Sequence, residues 1–200
     1  MSQVTLDMIS AGLLAFGAVV CFDIFLLRRK SSNSMRWLRP EWVWILASTG
    51  LLYLCADEFF DLHSQYDYWI HAAMGWNQTA LTDRIDDAII GLYVIGAILV
   101  LWAYRHEVWD TAGHRRPIQL LSIGFVLAGV HVCCDMLSNR NDFWHLFLQE
   151  PNANIAYRWT SWTEQVTEIG AEVSLVGALV VIWRRSCNQC KVIAGTSRVP

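Results

Sequence analysis

Several features that organise ordinary proteins are missing from this chain. No cysteine falls in the two longest inter-span segments, roughly 64–82 and 139–162, which excludes a disulfide framework there. No internal repeat and no low-complexity stretch is present. The long apolar tracts lack the apolar/polar alternation of strands, which argues against a membrane β-barrel. Positive charge is also missing where a cleavable signal peptide would carry it. Only Asp7 precedes the first apolar run, and Arg28, Arg29 and Lys30 follow it.

What is present is apolar length. Of the 200 residues, 54% are hydrophobic, the mean hydropathy is +0.31 and there are eleven tryptophans, so an ordinary soluble domain is excluded. Crossing ~30 Å of hydrocarbon takes about 20 helical residues. Five segments qualify, near 7–28, 41–63, 84–105, 117–138 and 163–185. Backbone groups in lipid must be satisfied within their own segment, so these segments are helices. The expectation is an all-α polytopic membrane protein: one five-helix domain over 1–185 and a tail over 186–200.

Basic residues give the expected orientation. Arg28, Arg29, Lys30, Arg36 and Arg39 fall in one loop, Arg105, Arg115 and Arg116 in another, and Arg184, Arg185, Lys191 and Arg198 near the end. Only Arg84, Arg140 and Arg158 fall on the opposite side. The positive-inside rule then places the amino terminus outside and the carboxyl terminus in the cytoplasm. The outer segments are aromatic: Tyr66, Tyr68, Trp69 and Trp76 in one, Phe143, Trp144, Phe147, Tyr157, Trp159 and Trp162 in the other. They read as an interfacial belt or as a lid, with Asn141-Asp142 capping a short interfacial helix. His71 and His145 read as solvated loop residues. Asn77-Gln78-Thr79 is a formal glycosylation sequon, and Cys187 and Cys190 form a CxxC without the second half of a zinc site.

Four of the spans carry ionisable residues at the same expected edge. These are Asp57, Glu58, Asp61 and His63; Asp83, Asp86 and Asp87; His131 and Asp135; and Glu164, Glu168 and Glu172. The four-residue spacing stacks Glu164, Glu168 and Glu172 on one helix face, and likewise His131 with Asp135 and Asp57 with Asp61. His63 lies off that stripe and reaches it only if the helix ends or bends. Each carboxylate at bilayer depth costs roughly 2.5–3.5 kcal/mol, so such a stripe belongs inside the bundle. Three outer basic residues cannot neutralise it. The expectation is therefore a carboxylate–histidine metal centre, mononuclear or dinuclear, with iron, manganese or zinc as the metal. Glu58, His63, Asp135, Glu164 and Glu168 are the expected ligands. Asp57, Asp61, Asp87, His131 and Glu172 are the supporting or alternative ligands.

Asp57-Glu58 followed by His63, the late Asp135, and Glu164-Gln165-x-x-Glu168-x-Gly170 resemble a group of bacterial multi-span membrane proteins of unassigned function. The group's pattern is Asp-Glu-x4-His-Glu, a late acid, and Glu-Glu-x2-Glu-x2-Gly. This chain departs from it at Ser64, at Gln165 and in the position of Gly170. The resemblance implies a bacterial cytoplasmic membrane and no particular activity. The Glu-x-x-His signature of ferritin-like di-iron proteins is missing.

The function expected from the cluster is a non-haem oxidoreductase acting on a lipid or quinone-like substrate that arrives laterally. A proton- or cation-coupled carrier or channel subunit, a structural subunit with a partner in a membrane complex, and b-haem binding through His63 and His131 are the alternatives. The lipid bilayer is the expected partner, and nucleic acid is not.

Overall fold

The computed structural model describes residues 3–31, 39–75, 85–138, 142–145 and 147–196. Arg36, Trp76, the Asn77 sequon, Asp83, Arg84, Arg140, Asn141 and Arg198 lie outside the described residues. So do the side chains of His63, Asp86 and Asp87. Among the described residues eight helices follow in order: α1 (Gln3–Ser31), α2 (Trp42–Phe60), α3 (Leu62–Met74), α4 (Ile85–Ala103), α5 (Arg105–Ala112), α6 (Arg115–Ser138), α7 (Asp142–His145) and α8 (Asn152–Thr196). Among the described residues there is no strand.

Four helical segments of the described residues are long and apolar enough to cross a membrane: Thr5–Lys30, Trp42–Phe60, Arg115–Ser138 and Asn152–Lys191. A fifth is Ile89–Ala103, which joins Arg105–Ala112 through a 76° bend. The all-helical expectation therefore holds, and by length and composition four or five candidate spans stand against the five expected. The outward faces agree with it. Leu92, Ile95, Leu99 and Trp102 recur along one face of α4 and are all exposed, as are Phe16, Val19, Phe22 and Leu26 on α1. An apolar stripe turned away from the protein is what hydrocarbon would solvate.

The chain puts helix where loops are expected. α3 fills much of the 64–82 segment, and α5 fills most of 105–116. α8 starts at Asn152, before the expected span, and continues through Thr196, beyond the expected end at 185. At about 1.5 Å per residue, its 45 residues reach ~68 Å, roughly twice a hydrocarbon core. The bend at Tyr104 falls where the apolar run of α4 gives way to Arg105, His106, Glu107 and Asp110. α5 swings aside while Val108 and Ala112 stay in the core.

The main packing joins α6 to α8, α1 to α2 and α1 to α8. α4 lies against α6 and meets α2 and α3 more lightly, closing the ring. Tyr53 and Tyr93 make the α2–α4 closure, with hydroxyls 2.9 Å apart. Ser48 Oγ donates to the Ala18 carbonyl at 2.8 Å and fixes α2 on α1. Gly124 lets α6 approach α8, because a Cβ there would come within 2.6 Å of Leu175. Lipid is as apolar as these side chains, so close packing and interhelical hydrogen bonds hold such a bundle. The apolar core is built from Cys21, Ile24, Phe25, Val43, Trp44, Leu179 and Ile182 with their neighbours. It occupies the half of the bundle nearer Arg28 and Arg185. We call that half the basic end and the other the acidic end.

Candidate functional site

The acidic end is assembled from four helices. Glu172 of α8 is 6% exposed, and Ser10 Oγ of α1 donates to its Oε1 at 2.5 Å. Its other oxygen, Oε2, is buried without a hydrogen-bond partner. One turn earlier, Glu168 lies within electrostatic reach of His131, Glu164 and Asp7. From α2, half-buried Glu58 feels the charges of Glu168, Glu172, Asp7 and Asp57. Asp57 itself is buried. The expected four-residue stacking on α8 therefore does turn Glu168 and Glu172 inward, toward Glu58.

His131 and Glu164 tie α6 to α8. His131 Nδ1 lies 3.3 Å from the Glu164 carbonyl oxygen, and Ser138 Oγ donates to the Glu164 carboxylate. Asp135 is half-buried in α6 one turn after His131, and within electrostatic reach of Cys134. Asp61 does not join the cluster. It adopts the left-handed conformation (φ 50°) that ends α2, is exposed, and accepts a 2.6 Å hydrogen bond from Ser64. Short polar side chains tolerate this conformation best, so the helix stops at Phe60 and the Asp57–Asp61 stripe is broken.

Among the described residues, no three His, Cys, Asp or Glu side chains converge closely enough to hold a metal ion. Glu58, Asp135, Glu164 and Glu168, the expected ligands whose side chains are described, thus form no coordination shell among themselves. No ion pair of the described residues involves Glu58, Glu168 or Glu172.

Two participants carried no signal in the sequence. Ser10 and Asp7 come from α1, where a lone serine in an apolar helix looks like any small residue. A second buried pair was also missed. His71, expected in a solvated loop, is 5% exposed on α3, and its Nδ1 lies 3.1 Å from Asp67 Oδ2. His71 Nε2 and Asp67 Oδ1 are both buried and unpartnered. Their i, i+4 spacing was legible, but the amphipathic α3 that buries them was not.

A family model described as Domain of unknown function (DUF8692) matches residues 4–183. The chain belongs to that family. The DUF8692 match begins before Ser10 and ends after Glu172, so the whole acidic cluster falls within the family unit. No curated protein and no solved structure matches the chain.

Proposed function

We propose that this DUF8692 chain is an integral membrane protein that takes up and releases protons, or an exchangeable cation, at its acidic end. It would serve as a coupled carrier or as a subunit of one. In this reading it lies in a bacterial cytoplasmic membrane with the amino terminus outside and the carboxyl terminus in the cytoplasm, as the bias of basic residues indicates. Glu172 carries the proposal: a buried carboxyl with one oxygen held by Ser10 and the other unpartnered.

Hydrogen-bond bookkeeping supports protons as the cargo. A serine hydroxyl has one hydrogen to give. Ser10 gives it to Glu172 Oε1, which leaves the buried Oε2 with no donor, and a proton held between Glu172 and Glu168 would supply one. Ionisable groups inside membrane bundles commonly form such relays. The packed core of Ile24, Trp44, Leu179 and Ile182 closes the way to the basic end, as an occluded state of a carrier requires.

Proteoliposomes loaded with a pH-sensitive dye test the proposal. Proton flux that is present in the native chain and lost in Glu172→Gln supports it. Flux unchanged by that substitution and by Glu168→Gln removes it. The carboxylate–histidine metal centre, with a lipid or quinone-like substrate, needs Glu58, Asp135, Glu164 and Glu168 to draw closer together around a metal. Elemental analysis separates the two readings. A stoichiometric metal lost on Glu168→Ala would replace proton uptake with metal chemistry.

A further inference from the structure

At the basic end a cleft of about 690 Å³ opens between α1, the α5–α6 junction and α8. Its apolar wall is Leu27, Ala112 and Val181, and its polar wall includes Arg185, Asn188 and Gln189. Val181, Arg185 and Asn188 follow one another at i, i+4 and i+7, so one face of α8 passes from apolar to cationic to amide. Two observations set Arg185 apart from the other basic residues at this end. Its Nε is buried and has no hydrogen-bond partner. Its guanidinium also lies directly over Gly113, the left-handed residue (φ 62°) that ends α5, where a Cβ would come within 1.6 Å of Cζ.

The neighbouring cation is committed elsewhere. Arg28 holds Glu107 through a two-point ion pair at 2.7 and 2.9 Å. The Ser186 hydroxyl is likewise engaged, donating to the Ile182 carbonyl at 3.1 Å. Arg185, Asn188 and Gln189 remain as donors, with His114 at the rim. A guanidinium edge and two amides suit the oxygens of a phosphate. The exposed Arg29, Lys30, Arg115, Arg116 and Arg184 give this end a positive rim. Val181 and Leu27 offer an apolar surface directly beside the cation, which an inorganic ion would not use and an acyl chain would.

We infer that this cleft binds an anionic phospholipid, with its phosphate at Arg185 and an acyl chain along Val181 and Leu27. Basic pockets between spans at the positive side of a membrane recognise headgroups in this way. The inference rests on the same membrane placement as the proposed function but does not depend on the acidic end.

The test uses the full chain in nanodiscs of phosphatidylcholine alone or with phosphatidylglycerol. Lipid retention is read by native mass spectrometry and thermal unfolding by tryptophan fluorescence. Phosphatidylglycerol is expected to be retained and to raise the unfolding temperature. Arg185→Gln should weaken retention about tenfold or more, since a charge-assisted contact is lost. Arg184→Gln removes the same charge from an exposed neighbouring position and should leave retention within about twofold. Arg185→Lys, which keeps the charge and loses the fork, should fall between them and serves if Arg185→Gln does not fold. Equal loss in the Arg184 and Arg185 variants would mean diffuse surface charge and overturn the site. Inorganic phosphate, titrated in neutral detergent, should give little shift. Stabilisation by phosphate without any preference for phosphatidylglycerol would overturn the lipid as occupant.

Discussion

Two sets of buried charge, one toward each end of this bundle, follow opposite rules. At the basic end, Arg28 and Glu107 meet through two hydrogen bonds, and Thr111 Oγ1 adds a third to Glu107 Oε1 at 3.1 Å. Arg39 reaches Glu41 at 3.4 Å in the same region. At the acidic end, Glu58, Glu168 and Glu172 crowd together with hydroxyls and one imidazole for company, and an oxygen of Glu172 has no partner. A paired charge holds a structure in place. An unpaired one stores the capacity to bind something. The comparison teaches that paired and unpaired buried charge stand on the same helices, and that the unpaired groups are the ones open to a ligand.

The largest effect expected from breaking this comparison is at the paired end. Glu107→Ala strands Arg28, which is only 27% exposed, and should cost about 2–4 kcal/mol by thermal unfolding in detergent. Replacing both partners by Met and Leu should recover most of that loss. Gly124→Leu tests the packing between the ends. It drives a side chain into Leu175 and the Ala171 carbonyl and should cost about 1–3 kcal/mol, with α6 and α8 separating in cysteine cross-linking. At the acidic end, Ser10→Ala removes the donor held by Glu172 and should cost about 1–2 kcal/mol in the same melts.

Glu172→Gln is the smallest change and the most telling. An isosteric amide relieves like-charge crowding, so stability should stay within about 0.5 kcal/mol or rise. A loss as large as that of Glu107→Ala would mean that the acidic end is a paired structural element as well.

Much of the fold was legible in the residues. Hydropathy placed the spans, and the four-residue spacing of Glu164, Glu168 and Glu172 anticipated that the acids of α8 would turn inward. What escaped depends on partners distant in sequence. Nothing in the α1 sequence says that Ser10 will face Glu172, because that contact is set by the parallel packing of two helices 162 positions apart. Asp61 looked like a member of the Asp57 stripe until its left-handed backbone ended the helix. His71 and Asp67 sat in what hydropathy marked as a loop, since α3 is amphipathic and too polar to score as a span. The turn into α5 escaped for a similar reason, because its polar residues mimic a connecting segment while Val108 and Ala112 still pack inside.

α8 has a mechanical consequence. It is one unbroken helix, and it carries Glu164, Glu168 and Glu172 toward one end and Arg185 toward the other. From Glu172 to Arg185 the axial distance is about 20 Å. A rod of this kind transmits twist and slide instead of absorbing them. Whatever reseats the carboxyls must also turn the guanidinium above Gly113, so each end of the bundle registers events at the other.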